Sequence, residues 1–162
     1  MPTWDLLAQN WNDLTGWTAG GAGTSEISPA GQLHQVPNSG TPVYRRKGSS
    51  TVPYTGYTVE IRLKIDSFGT GDGRVAYQFY DGLHRIYFAV YSDRVYNVDA
   101  PTTIYVTNAT GVFNVWRLVV DSDGHSNKVY KDGAYLGDLG AGANYSGEPG
   151  QHIDETGNAA SC

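Results

Sequence analysis

VFNVWRLVVDSDGHSNKVYKDGAYLG, residues 112–137, is the stretch whose pattern decides the fold class. Trp116, Leu118 and Val120 alternate with Val115, Arg117 and Val119, a period of two that belongs to a strand with unlike faces. Two Asp-Gly pairs, Asp123-Gly124 and Asp132-Gly133, punctuate it. Gly accepts a positive φ without steric cost and Asp tolerates it better than most residues, so the pair suits a tight hairpin turn. The stretch therefore reads as strand, polar turn, short strand, Asp-Gly turn and short strand. Further pairs at Asp72-Gly73 and Asp81-Gly82 repeat the signal upstream. Four such turns between alternating segments predict an antiparallel all-β chain.

Working outward, Tyr57 to Asp66 (YTVEIRLKID) is the clearest strand. Val59, Ile61, Leu63 and Ile65 take one side; Thr58, Glu60, Arg62 and Lys64 take the other, so one side is buried and one is wet. Arg74–Tyr80 and Arg85–Tyr91 form a predicted hairpin around Asp81-Gly82-Leu83-His84. Val75, Tyr77, Phe79, Ile86, Phe88 and Val90 share its apolar face. The opposite face carries Ala76, Gln78, Tyr80, Arg85, Tyr87, Ala89 and Tyr91. Short strands are expected at Val43–Arg46, Arg94–Val98 and Thr102–Thr107, and a Pro-Gly turn with a strand after it within Ile27–Val36. Phe68–Gly73 reads as a glycine-rich turn. Residues 1–23, with Trp4, Trp11 and Trp17, read as an irregular lead-in whose aromatics pack on a sheet edge, and 140–162 as a polar Gly/Ala/Asn-rich tail. Helical periodicity is nearly absent. Many short strands in a single domain spanning 1–162 predict an antiparallel β-sandwich of jelly-roll type.

Composition narrows the function classes. A chain of 162 residues buries roughly two-thirds of the surface its unfolded form exposes, enough for a true core. With one Met and one Cys, that core must come from Val, Ile, Tyr, Phe and Trp. Net charge is −5 and no basic run exceeds Arg45-Arg46-Lys47, which argues against nucleic acid as a partner. No apolar run is long enough to span a membrane, and Met1–Leu14 lacks the layout of a signal peptide. Twelve tyrosines, each an apolar ring with a polar tip, give the β-rich composition of secreted proteins, and an extracellular or cell-surface setting is expected. Cys162 is the sole cysteine, so no disulfide closes within the chain. It is either an exposed thiol or pairs outside the chain. Asn108-Ala-Thr110 and Asn144-Tyr-Ser146 match the glycosylation acceptor pattern, which is short and frequent by chance.

Four segments in order, ISPAGQLHQ (27–35), YTVEIRLKID (57–66), the Tyr/Phe-rich hairpin and FNVWRLVVDSDGHSNKVYKDGAYLG (113–137), resemble the concanavalin A-like lectin/glucanase superfamily, in particular its laminin G-like jelly-roll domains. The resemblance covers most of the chain and implies a concanavalin A-like β-sandwich. It also implies a last strand after the segment that here ends at Cys162. That strand is unfilled in this sequence, which leaves open a different strand order, a truncated chain, or a strand donated by a neighbour.

The superfamily includes glucanases that use two carboxylates on one strand. Here the nearest pair, Glu60 and Asp66, lies six residues apart, roughly 20 Å along a strand, too far for retaining cleavage. Jelly-roll lyases use His, Tyr, Arg and Gln on a sheet face; those residue types are present but the motif strings are not. His34, His84, His125 and His152 are scattered, and no cofactor is implied. Asp121 and Asp123 have calcium-like chemistry, but the fuller EF-hand spacing is absent and the residues favour an Asx-capped turn. Flat aromatic faces with hydrogen-bonding neighbours suit sugars, and Gln78, Tyr80, His84, Arg85, Tyr87 and Tyr91 supply both on one hairpin face. The residues thus favour a non-catalytic extracellular module that binds a polysaccharide or other glycan. The same face suits packing against further copies of the chain or a neighbouring domain, as in a surface layer, sheath or filament. A polysaccharide-degrading enzyme is the third expectation.

Overall fold

A computed structural model describes residues 15–27, 33–37, 43–48, 56–68, 70–80, 84–121, 126–144 and 150–158, and for 34, 37, 46–48, 70–72, 80, 144 and 150–158 the backbone alone. Its regular elements are strands: β1 (Thr18–Gly21), β2 (Gly23–Ile27), β3 (Leu33–Pro37), β4 (Val43–Gly48), β5 (Tyr57–Lys64), β6 (Thr70–Tyr80) and β7 (His84–Val90), then β8 (Arg94–Asn97), β9 (Thr102–Tyr105), β10 (Phe113–Val120), β11 (Asn127–Lys131), β12 (Ala134–Asp138), β13 (Ala143–Asn144) and β14 (Gly150–Asn158). One sheet runs β1-β4-β14-β6-β7-β8-β9, with β13 also on β7; a second runs β12-β11-β10-β5; β2 and β3 form a separate hairpin.

The two larger sheets close on one core. Leu63 of β5, Trp116, Leu118 and Val120 of β10, and Val129 of β11 meet Val75, Tyr77 and Phe79 of β6, Ile86, Phe88 and Val90 of β7, and Val95 of β8. These are the positions that the period of two selects, and each such side chain contributes roughly 1.5–3 kcal/mol by leaving water. The Phe88 and Trp116 rings meet across the sandwich, centroids 5.7 Å apart. Trp17 joins this core; Trp4 and Trp11 lie outside the described residues.

The Asp-Gly pairs divide. Asp132 (φ 50°) and Gly133 (φ 84°) are both left-handed, as a type I′ hairpin between β11 and β12 requires. The Asp132 carboxylate also accepts from the Val115 N–H at 2.7 Å. Asp72-Gly73 is not a turn: β6 has already begun at Thr70, correcting the expected glycine-rich turn at 68–73. Gly73 serves a close approach instead, since a Cβ there would land on the Phe68 carbonyl. Asp81-Gly82 and Asp123-Gly124 lie outside the described residues; the flanking pairs β6–β7 and β10–β11 are antiparallel.

The expected polar tail is likewise corrected. Residues 150–158 form β14, antiparallel to both β4 and β6. The segment GQHIDETGN has a single large apolar residue, Ile153, so the pattern of its side chains does not announce a strand. Backbone pairing on both edges places it there.

Between β12 and β13 the chain crosses from one sheet to the other, and one Asn from each sheet holds the crossing. Asn97, fully buried, donates from Nδ2 to the Leu139 and Ala141 carbonyls at 3.0 and 2.9 Å and accepts from the Asp99 N–H at 3.1 Å. Asn127, also fully buried, donates from its side chain to the Gly140 carbonyl. Asp138 caps the same bend. Desolvation opposes its ionisation, but Ser126, the Gly140 and Asn127 N–H groups and Lys128 outweigh it and hold the carboxyl below its usual range.

Candidate functional site

Directly opposed residues of antiparallel strands share a face. On β6 and β7, Ala76 pairs with Ala89, Gln78 with Tyr87 and Tyr80 with Arg85. Across β7 and β8, Ala89 pairs with Tyr96. These residues therefore occupy the face of the larger sheet that points away from the core, as alternation predicts. Register extends the face through His152 opposite Gln78 and Asp154 opposite Ala76 on β14, and Arg46 and Tyr44 on β4.

The face has its own apolar cluster. Ala76 and Ala89 form a fully buried floor, with Tyr91 on it and Tyr87, Tyr96 and Val98 around it. Two alanines side by side leave room for rings from neighbouring rows to lean inward. Tyr91, expected on the outside of the ribbon, does lie on this face but is only 7% exposed. The Arg94 guanidinium covers its ring at 4.0 Å, Arg74 lies 5.7 Å from the same centroid, and Tyr96 meets it edge-on at 6.4 Å. Arg74 donates to the Tyr91 hydroxyl at 3.2 Å. Burial opposes the Arg74 charge, yet the Tyr87 and Tyr91 hydroxyls more than compensate and its pKa is raised.

The other expected contacts separate. Gln78 is buried in the face and His84 is partly exposed at its end. Tyr80 is placed by backbone register alone, between Arg85 and Gly150. Arg85 is engaged within the protein: its Nε lies 3.1 Å from both Asp99 carboxylate oxygens, and its terminal NH2 group also pairs with that carboxylate. The Asp99 side chain is nearly buried. Arg85 thereby ties β7 to the bend after β8.

The face also includes Arg74, Arg94, Tyr96 and Tyr105, which the hairpin pattern alone does not single out. Arg74 continues the alternation of Ala76 and Gln78, and Arg94 and Tyr96 alternate with core Val95 and buried Asn97.

The turn carrying Tyr91 and Arg94 is fastened from beneath. Asn108 is 6% exposed; its side-chain amide donates to the Tyr91 carbonyl and, at 3.4 Å, to the Arg94 carbonyl. Its Oδ1 accepts from Lys131 Nζ at 3.0 Å. Lys131 also donates to the Thr107 carbonyl at 3.0 Å and lies 5.4 Å from the Trp116 ring. Burial pushes its ammonium below the usual range, with Asp132 opposing. The acceptor motif at Asn108 is therefore occupied by structure, because glycosylation needs a free, exposed amide. Expression in a glycosylating host is expected to leave Asn108 unmodified by mass spectrometry. Asn108→Ala is expected to cost about 2 kcal/mol in urea unfolding, because the Tyr91 carbonyl loses its side-chain donor and the Lys131 ammonium is left with the Thr107 carbonyl alone.

Glu60 and Asp66 are not a catalytic pair. Glu60 accepts from Arg117 at 2.8 and 3.0 Å on the outer face of the smaller sheet, and Asp66 pairs with Lys64 at 2.7 Å. Of the two calcium candidates, Asp121 is exposed, with its N–H on the Ser126 carbonyl at 3.1 Å, and Asp123 lies outside the described residues.

No family model and no curated protein matches the chain. Solved structures do. The Emp46p carbohydrate recognition domain, in its potassium-bound form, superposes with a TM-score of 0.63 at 11% identity, covering 96% of this chain and 88% of that one. Carbohydrate-binding module CBM66 from Bacillus subtilis gives 0.60 at 16% identity, covering 90% of each chain. These are concanavalin A-like jelly rolls. The chain has the same fold. The alginate lyase from Corynebacterium sp. has it too, with a TM-score of 0.62 at 12% identity, covering 91% of this chain and 90% of the lyase. The concanavalin A-like fold thus hosts binding domains and an enzyme alike, and likeness at this identity speaks for the fold alone.

Proposed function

We propose that the chain is a non-catalytic, extracellular carbohydrate-binding or adhesion module that holds a glycan on the outer face of its larger sheet. The observation that carries this reading is the aromatic cluster on that face: Tyr87, Tyr91 and Tyr96 gathered over Ala76 and Ala89, with Gln78 and Arg74 among them. The partly buried Tyr87 and Tyr96 rings, beside the covered Tyr91, offer apolar faces to sugar C–H groups, and the amide and guanidinium offer hydrogen bonds to hydroxyls. Similarity to a carbohydrate recognition domain and a carbohydrate-binding module supports it.

Affinity electrophoresis through a panel of soluble polysaccharides tests the reading. Retardation by at least one is expected, weakened at least tenfold by Tyr87→Ala at unchanged thermal midpoint. Free migration through every gel overturns it. A second reading, a polysaccharide lyase, draws on the Tyr91 hydroxyl held 3.2 Å from the Arg74 guanidinium, a phenol beside a cation on the sheet face. Release of unsaturated uronate from alginate or polygalacturonate would favour the enzyme; intact polymer with retained binding favours the module.

A further inference from the structure

One row of the outer face crosses four strands. Val75 opposes Val90, and Val90 opposes Val95, so Arg74, Tyr91 and Arg94 lie side by side. Arg94 in turn opposes Tyr105 on the edge strand β9. The row reads Arg74, Tyr91, Arg94, Tyr105, a cation beside a ring twice over. We infer that this row selects glycans that carry a negative group, a carboxylate or a sulfate, on the sugar ring. The inference rests on the glycan-binding reading above and names the class of ligand for it.

Three observations carry it. First, Tyr91 is too buried to be a stacking platform, and its place between two guanidiniums makes it a support that holds both at the surface of the sheet. Second, the partners of Arg74 are neutral. Its guanidinium bonds the Tyr91 hydroxyl, its Nε is buried with no partner, and no carboxylate pairs with it among the described residues. Arg94 is paired, with Asp93 at 2.8 Å, but that carboxylate is mostly exposed and such a pair exchanges at little cost. Third, Tyr105 is 79% exposed next to Arg94, which leaves one open ring beside a cation. A sugar ring on Tyr105 would set an anionic substituent against Arg94. Guanidiniums resting on aromatic rings are partly shielded from water, which strengthens charge-assisted hydrogen bonds to such a group. Backbone register assigns Arg46 and Asp154 to the same face, Asp72 stands two residues before Arg74 on β6, and Asp99 is taken by Arg85.

The test uses the whole chain against alginate and polygalacturonate as carboxylated probes, dextran sulfate as the sulfated probe, and dextran, pullulan and levan as neutral ones. Retention on a charged probe at least tenfold above the neutral set is expected, falling as salt rises from about 50 to about 500 mM. The carboxylated and sulfated arms name the group. Arg94→Gln should lower retention at least tenfold, and Arg94→Lys should restore part of it. Tyr105→Ala should lower retention without changing its salt dependence. Arg74→Gln should act like Arg94→Gln; if it unfolds, Arg94→Gln carries the test alone. Equal or greater retention on neutral probes overturns the charge selectivity and leaves the glycan reading standing. Retention on no probe overturns both.

Discussion

Phe88→Ala is expected to lower the unfolding free energy by about 3–5 kcal/mol. Phe88 is 2% exposed and sits on β7, the strand that bears both the central core residues and the central residues of the outer face. Its ring spans the gap to Trp116 on the opposing sheet. Removal gives up the transfer energy of the ring and leaves a cavity that two pleated sheets cannot close by side-chain motion alone. Urea unfolding followed by tryptophan fluorescence measures the loss. Phe88→Leu, which refills most of the volume, should recover more than half of it. A loss below about 1 kcal/mol for the alanine variant would mean that the two sheets do not share a core at this point.

Asn97→Ala is expected to cost about 3 kcal/mol, although the residue is polar and small. The side chain satisfies two carbonyls and one N–H in a place that water does not reach. Each buried group left without a partner costs about 1–3 kcal/mol, and the Leu139 carbonyl sits wholly inside. Asn97→Asp should be no better, because a carboxylate offers no donor to the two carbonyls and adds a buried charge. Hydrogen exchange gives an independent readout: the Leu139 amide, bonded to the Asn127 carbonyl at 2.9 Å, should lose protection in the Ala variant before the β10 amides do. Unchanged exchange at Leu139 would show that Asn97 does not hold the crossing between the sheets.

How much of this could be read from residues alone depended on distance along the chain. Trp116, Leu118 and Val120 announce their buried face by alternation, and so do Val75, Tyr77 and Phe79. The pairing of β6 with β7 is local, so Gln78, Tyr87 and Ala89 fall on one face without further information. Arg85 shows the limit. Its partner Asp99 is on the same side only because β8 folds back and the chain bends after Asn97, which alternation does not encode. Alternation puts Tyr91 on the outer face, but whether its ring lies open or covered depends on Arg74 and Arg94, set by cross-strand register. Residues 150–158 were illegible for a plainer reason: a strand paired on both edges draws its stability from the backbone, and Gly, Gln, His, Asp and Thr leave no apolar stripe to read.

The seat of β14 has a kinetic consequence. Val43 is paired with Glu155, more than a hundred residues further along the chain, and Ala76 with Asp154. Until this segment arrives, β4 and β6 each present an open edge, and the larger sheet is two pieces. Closing such a long loop is entropically slow and leaves adhesive edges bare in the meantime. A ribosome-bound nascent chain should therefore remain protease-sensitive around β4 until residues 150–158 have cleared the exit tunnel.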